Sequence, residues 1–243
     1  MVEARALFFA ACAFVLGGCG AADDPNDHLV AWWRFDERAG TIAADSSGSG
    51  NEATVRNGAW AEGRYGGALA MDGGNDGIVV VALSESLRAT AREITVAAWT
   101  YRTATHNVAV LTHGYPTLFF GFHGPRFKWQ IEHQSGRQSP CYADEKHEAG
   151  LNRWIHMAAT YDGWVARLYV DGVEICRKWA LRSALTPGRA GDIRMPDAPF
   201  TLSGYLDDSN TIVDEITGRL DDVRIYDRAL SGDEVSALAS STR

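Results

Sequence analysis

The stretch that decides the fold is WIHMAATYDGWVARLYVDGVEICRKW, residues 154–179. It holds three apolar, β-rich segments, 154–161, 164–170 and 173–179, and an Asp-Gly dipeptide separates each from the next. Asp-Gly is one of the dipeptides that best support the type I′ turn of a two-residue hairpin. The stretch therefore predicts two consecutive β-hairpins.

The same alternation of strand and turn continues on both sides of this stretch. Turn signals such as DSSGSGN at 45–51 and DGGNDG at 72–77 separate short apolar segments. The other predicted strands are 29–35, 68–71, 78–81, 94–101, 108–111, 117–122, 127–131, 200–203 and 220–226. One short helix is expected near the C-terminus, with Ser231 as its N-cap and Glu234 in the capping-box position. This pattern predicts an all-β jelly-roll sandwich of two antiparallel sheets.

Composition narrows the classes of partner. The chain has 243 residues, 46% of them hydrophobic, which is enough for one large domain with its own core. The formal net charge is −8. Because an acidic surface repels phosphate backbones, we expect no nucleic-acid partner.

The N-terminal residues differ from the rest. Residues 6–16 form an apolar run that is too short to span a bilayer, and small residues follow it before Cys19. Such a run predicts a signal peptide, and LGGC at 16–19 resembles a bacterial lipobox. That resemblance implies loss of residues 1–18 and lipidation of Cys19, for example with palmitate. The alternative is ordinary cleavage near residues 20–22, which would release a free secreted protein.

These features predict three segments. Residues 1–18 are a lipoprotein signal peptide, 19–28 a lipid-anchored tether, and 29–240 the jelly-roll domain. We expect the protein to touch the membrane through its lipid anchor only, at the outer membrane or the cell surface.

Several motifs also occur in the order found in one family. They are WRFDE at 33–37 with DSSG at 45–48, LAMDG at 69–73 with DGIV at 76–79, ITVAAWTY at 94–101, WIHMAATYD at 154–162 with LYVDG at 168–172, and GRLDDVRIYDRALS at 218–231. In this order they resemble the laminin-G-like branch of the concanavalin A-like lectin/glucanase superfamily, over roughly residues 29–239. The resemblance implies a concanavalin A-like jelly roll that binds glycans or cell-surface or extracellular proteins, often with a structural calcium ion.

The resemblance also implies where calcium would bind. Related glucanases place the ion beside the first and last strands, and the matching positions here are Asp36, Asp72, Gly73 and Asp221. Alternation along 220–226 places Asp221 on the same face as the apolar residues Val223 and Ile225. A carboxylate on the core side is costly unless it is paired or bound to a metal, and calcium takes carboxylate and carbonyl oxygens.

A role for Asp221 without calcium is the alternative. The carboxylate would then accept hydrogen bonds from backbone N–H groups at the sheet edge, or pair with Arg219 or Arg224.

The sequence favours binding over catalysis. No Glu is followed two residues later by Asp, so the Glu-x-Asp-x-x-Glu motif of glucanases with this fold is absent. Neither a serine nucleophile elbow nor His-Glu-x-x-His occurs. We expect no enzymatic activity. Carboxylates on separate strands leave an extracytoplasmic glycoside hydrolase, or another carbohydrate-active enzyme of this fold, as the alternative.

A ligand surface is predicted on the middle strands. Arg126, Lys128 and Gln130 alternate with apolar residues, which gives one polar strand face, and Tyr142 is the fourth candidate ligand-binding residue. Aromatic rings stack on sugars and anchor interfaces, and this region contains Tyr115, Phe119, Phe120, Phe122, Trp129 and Tyr142. For most of these rings the alternative is a place in the core.

Histidines and cysteines complete the candidates. His106, His113, His123 and His133 lie in one region, but no pair has the spacing of metal ligands, so we expect no zinc or copper site.

Once Cys12 leaves with the signal peptide and Cys19 is lipidated, Cys141 and Cys176 remain. An even pair in an exported protein predicts a disulfide, with two free thiols as the alternative. Cys141 is expected in a patternless loop, 134–150.

Overall fold

The computed structural model describes residues 27–144, 146–180 and 191–242. In chain order, its strands are β1 (Leu29–Trp33), β2 (Ile42–Ala43), β3 (Ala53–Arg56), β4 (Ala59–Glu62), β5 (Gly67–Asp72), β6 (Ile78–Val81), β7 (Ile94–Arg102), β8 (Val108–His113), β9 (Leu118–His123), β10 (Arg126–Glu132), β11 (Gln138–Tyr142), β12 (Trp154–Tyr161), β13 (Val165–Val170), β14 (Val173–Trp179), β15 (Phe200–Leu202), β16 (Tyr205–Leu206), β17 (Ile212–Val213) and β18 (Thr217–Tyr226). The helices are α1 (Glu85–Ala89) and α2 (Gly232–Ser240).

The strands form two large antiparallel sheets, as the sequence predicts. Sheet A runs β14-β13-β12-β7-β18-β5-β4, and β1 also pairs with β18. Sheet B runs β11-β10-β9-β8-β15-β6-β3-β2. A small hairpin, β16-β17, stands apart from both. The molecule is therefore a two-sheet jelly-roll sandwich.

The core lies between the sheets because side chains alternate between the two faces of each strand. In β10, Phe127, Trp129 and Ile131 belong to the core, whereas Lys128 and Gln130 point to the outer face of sheet B. Truncating a buried tryptophan or phenylalanine such as these to alanine typically costs about 3–5 kcal/mol of stability.

The two predicted hairpins are present, with one difference in the turns. Asp171 and Gly172 have φ values of 47° and 81°, as a type I′ turn requires. In the first turn only Gly163 has a positive φ, and Asp162 instead accepts hydrogen bonds from the backbone N–H groups of Trp164 and Val165. The first turn is therefore longer, and Trp164 lies in it rather than in a strand.

The expected loop 134–150 contains a strand, which corrects the prediction for that segment. This strand, β11, is an edge strand of sheet B and pairs with β10. Its pattern is obscured by Pro140, a residue that sheets tolerate at edges because it cannot donate a backbone hydrogen bond. Cys141 therefore lies on a strand. Its predicted disulfide with Cys176 of β14 is confirmed, with 6.0 Å between the Cα atoms.

A bulge in β18 changes which face its acidic residues occupy. The register shifts between Asp221 and Arg224, and Asp222 has a φ of 52°. Leu220 lies in the core, and Asp221 pairs with Trp99, outside the core cluster. Asp221 therefore faces away from the core. The prediction of a core-facing Asp221 is wrong because the bulge breaks the simple alternation.

Helix α2 covers part of the outer face of sheet A. Its predicted capping box is present: the Ser231 side chain accepts from the Glu234 backbone, and the Glu234 carboxylate accepts from the Ser231 backbone. Val235 packs into a second cluster with Ala97 and Tyr226 on that face. Within the described residues, neither helix has the length and apolar character that crossing a bilayer requires.

Candidate functional site

The residues predicted to bind calcium lie in two places. Asp36 and Asp221 both lie near the start of β5: Asp36 Oδ1 accepts from Gly67 N at 2.7 Å, and Asp221 Oδ2 accepts from Tyr65 N at 2.9 Å. Asp72 is the last residue of β5, at the strand's opposite end. The structure therefore does not bring all four predicted residues together.

Asp72 instead lies with Asp76 and Glu215. One carboxylate oxygen of each lies within 4.8 Å of the other two, and this is the one group with a metal-binding arrangement among the residues the structure describes. Glu215 is buried, and it accepts from the N–H groups of Gly73 and Asp76. Burial raises the pKa of Glu215, whereas these backbone hydrogen bonds lower it.

All four predicted ligand-binding residues lie on β10 and β11. Ala109, Gly121, Lys128 and Tyr142 are direct cross-strand neighbours on β8, β9, β10 and β11. We call these four residues the Lys128 row. Lys128 and Tyr142, two of the four predicted residues, thus lie side by side on the outer face of sheet B.

Lys128 is held between aromatic rings. Its Nζ lies 4.3 Å from the centre of the Phe119 ring and 5.7 Å from that of Tyr142. The side chain is 8% exposed, whereas Tyr142 is 43% exposed. Burial lowers the pKa of Lys128, and the charge of Asp214 raises it. Such a desolvated cation between rings is a favourable cation–π arrangement.

Asp214 lies at the other end of the Lys128 row. Its backbone carbonyl accepts from Ala109 N at 2.8 Å, and its φ is 55°. Burial raises the pKa of the Asp214 carboxyl, while the charges of Lys128, His106 and His123 lower it. The carboxylate therefore belongs to the same electrostatic group as Lys128.

The other two predicted residues flank the row. Gln130 is buried, and its Nε2 donates to the carbonyl of Pro116 at 3.0 Å, which fixes the loop between β8 and β9. Arg126 is exposed and lines an open cleft of about 440 Å³ with Asn107, His123 and Glu148. Gln130 is therefore placed to support the surface, and Arg126 to line it.

A pair of tyrosines borders the same face. Tyr115 and Tyr205 stack with their ring centres 3.9 Å apart, and Tyr115 also meets the edge of Phe119. The two tyrosines, together with Thr112 and Thr201, line a small cavity of about 110 Å³. The other predicted aromatic residues, Phe120, Phe122 and Trp129, are core residues.

The histidines take separate roles. His113 is buried and stacks on Phe200, and His133 bonds to Ser139 and to the Gly191 carbonyl. His106 Nε2 lies 2.8 Å from the Glu215 carbonyl, and His123 meets Tyr142 edge-on. No histidine belongs to a metal-type group within residues 27–144, 146–180 and 191–242.

Sequence reasoning missed Tyr205, the first residue of β16, and Asp214, which directly follows β17. A signal for the hairpin β16-β17 existed, because the turn-forming residues 207–210 separate Tyr205-Leu206 from Ile212-Val213. The predicted lipidation site, Cys19, and the signal peptide 1–18 lie outside the described residues.

Comparison with known proteins is consistent with this architecture. The sequence model of a family described as the concanavalin A-like lectin/glucanases superfamily matches residues 72–236. No curated protein sequence matches the chain significantly.

Solved structures share the fold at low sequence identity. The binding domain of Paraclostridial Mosquitocidal Protein 1 matches with a TM-score of 0.70 and 17% identity, over 89% of this chain and 52% of that one. The binding domain of botulinum neurotoxin serotype D/C VPI 5993 matches with a TM-score of 0.68 and 13% identity, over 90% and 53%. This chain thus spans about half the length of these toxin domains. Domain 4 of AbnA, a GH43 extracellular arabinanase from Geobacillus stearothermophilus solved with arabinotriose, matches with a TM-score of 0.60 and 19% identity, over 87% and 98%.

Proposed function

Because this chain belongs to the concanavalin A-like lectin/glucanases superfamily, we propose that it is a non-catalytic module that binds a glycan through the outer face of sheet B. The observation that carries the proposal is the Lys128 row, where a buried cation and an exposed ring, Tyr142, lie side by side. Ligand sites combine aromatic surface with a few convergent polar groups. Among the solved structures that share the fold, the arabinanase domain was solved with arabinotriose and a botulinum neurotoxin DC binding domain with SialylT.

The test is binding of the purified full chain to an array of oligosaccharides, followed by calorimetry on the best one. Tyr142→Ala should weaken binding by at least about tenfold, since stacking on this ring would be lost. Trp164→Ala is the matched control, because Trp164 is 47% exposed and Tyr142 is 43% exposed. Trp164, however, belongs to the first turn of the sheet A hairpins. If the Trp164 variant loses binding and the Tyr142 variant keeps it, the ligand does not bind at the Lys128 row.

The same mixtures test the enzymatic alternative. A binding module leaves the oligosaccharide intact after long incubation, whereas a hydrolase releases shorter products. Capture of a protein by the Lys128 row in the absence of any glycan binding would instead favour a protein partner.

We also propose that Cys19 carries a lipid and holds the domain at the outer membrane or cell surface. The support is the LGGC motif at 16–19 after a short apolar run. Residues 19–28 would then form the tether. A surface anchor would present the Lys128 row to glycans outside the cell.

Calcium remains a proposal, and the geometry favours a different ligand set from the predicted one. Asp36 and Asp221 lie near the start of β5, whereas Asp72 lies at its end, so the predicted ligand set is divided. The three clustered oxygens of Asp72, Asp76 and Glu215 fit a hard cation better, because calcium prefers several carboxylate oxygens. A calcium ion there would join the turn after β5 to the start of β18.

A further inference from the structure

Lys128 and Asp214 carry opposite charges on the outer face of sheet B, and the groups that face the Lys128 ammonium are the rings of Phe119 and Tyr142. Within the described residues, the Lys128 ammonium forms no hydrogen bond and no ion pair, and neither does the Asp214 carboxylate. The Lys128 nitrogen is not wholly sealed from solvent. Burying a charge without an ion partner is costly, so the buried Lys128 ammonium and the half-buried Asp214 carboxylate are suited to a ligand that pairs them.

The two charges are close but not in contact. Each shifts the pKa of the other, yet their charged atoms lie farther apart than the 4.0 Å of an ion pair. The row between them carries only the methyl group of Ala109 and the hydrogen of Gly121. No large side chain in the row therefore stands between the ammonium and the carboxylate.

A hydroxyl group is the simplest group that satisfies both charges. It accepts a hydrogen bond from an ammonium and donates one to a carboxylate. Hydrogen bonds to charged groups are also the stronger ones. A ligand that carries several hydroxyls can satisfy both residues, while its apolar face would lie against the exposed ring of Tyr142.

We propose that the ligand is a neutral, hydroxyl-rich sugar whose hydroxyls bridge Lys128 and Asp214. This inference rests on the proposed function and specifies its ligand class. An acidic sugar would pair with Lys128, but Asp214 would repel it. The net charge of −8 adds to that repulsion. A cationic ligand would pair with Asp214, but Lys128 would repel it. A neutral polyol satisfies both charges without adding a third.

The experiment compares matched neutral and acidic sugars on the purified full chain. The probes are the trisaccharides of galactose, glucose and mannose, and the corresponding trimers of galacturonate, glucuronate and mannuronate. We expect a neutral trimer to bind and its uronate counterpart to bind at least about tenfold more weakly. Affinity for the neutral trimer should change little with salt, because screening acts on charge–charge attraction.

Two variants test the bridging residues separately. Lys128→Met removes the ammonium and keeps a long apolar side chain, and Asp214→Asn keeps a residue that tolerates the positive φ. Both variants should keep a cooperative melting transition and should bind the neutral trimer at least about tenfold more weakly. The exposed residues Lys178 and Asp208 supply the controls, and Lys178→Met and Asp208→Asn should leave affinity unchanged.

The outcomes separate this inference from the proposed function. Tighter binding of a uronate trimer, strengthened further by Asp214→Asn, would overturn the neutral-sugar inference and leave glycan binding intact. Neutral binding unaffected by either variant would also overturn it. If no sugar of either kind binds, the proposed function itself fails, and this inference with it.

Discussion

Cys141 and Cys176 join the edge strand of sheet B to the edge strand of sheet A, with 6.0 Å between their Cα atoms. Cys141 is buried in the core and directly precedes Tyr142 of the Lys128 row. The bond therefore closes one side of the sandwich at the strand that carries the exposed aromatic residue.

Removing this bond should lower stability substantially. The sequence separation is 35 residues, for which the chain-entropy model gives about 3–4 kcal/mol. Urea unfolding of the Cys141→Ser/Cys176→Ser variant should show this loss at unchanged cooperativity. A reductant should destabilise the parent chain by a similar amount and leave the double variant unaffected. Equal stability of parent and variant would contradict the prediction.

Two buried histidines should make the fold sensitive to mild acid. Burial lowers the pKa of His113 and of His156 from 6.5 to about 4. The unfolded chain therefore binds more protons between these values, so stability is full above the unfolded pKa and falls as the pH drops toward about 4. Between about pH 7 and about pH 5.5, we expect a loss of about 1 kcal/mol per histidine.

Urea unfolding at these two pH values measures the loss. His156→Gln should reduce the difference by about half, because Gln does not titrate. Stability that stays constant over this interval would show that neither histidine is kept neutral by the fold.

Calcium should raise the melting temperature if the proposed site is occupied, because an ion that binds only the folded chain stabilises it by mass action. Asp76→Asn should abolish the rise, since Asp76 is exposed and belongs to the carboxylate group with Glu215. Asp221→Asn separates the two ligand sets, and it should lower the melting temperature while leaving the calcium effect in place. Identical melting in calcium and in EDTA would exclude calcium at either place.

Lipidation of Cys19 is tested by fractionation. Cys19→Ser should move the protein from the membrane to the soluble fraction, because acyl chains contribute about 0.8 kcal/mol per buried CH₂ to membrane binding. Cys12→Ser, within the predicted signal peptide, should leave the protein in the membrane. A Cys19→Ser protein that stays membrane-bound would contradict the anchor.

The sequence predicted the fold where local patterns agree with tertiary packing. The Asp-Gly turn at Asp171, the capping box at Ser231 and the alternation along β10 appear as expected. It failed where one residue changes the geometry of a strand. Asp222 takes a positive φ and forms the bulge that turns Asp221 away from the core, and no local pattern announces that conformation.

The candidate site was predicted in part for a similar reason. Lys128 was predicted because strand alternation places polar side chains on one face, and Tyr142 was predicted as one of the aromatic residues of the region. Asp214 reaches the same face through a backbone hydrogen bond to Ala109, about a hundred residues earlier in the chain. Such a contact depends on how the intervening strands are arranged in the two sheets. The spacing of residues in the sequence does not predict that arrangement.

The edge strands also bear on how the molecule behaves beside copies of itself. An exposed edge is a template on which another chain can add a strand and begin aggregation. Here Pro140 interrupts the edge of β11, and the edge strand β14 carries Glu174, Arg177 and Lys178. At the opposite edges, β2 and β4 are only two and four residues long. Such edges discourage templated growth, so the domain should remain separate from its neighbours even when it is densely packed on a surface.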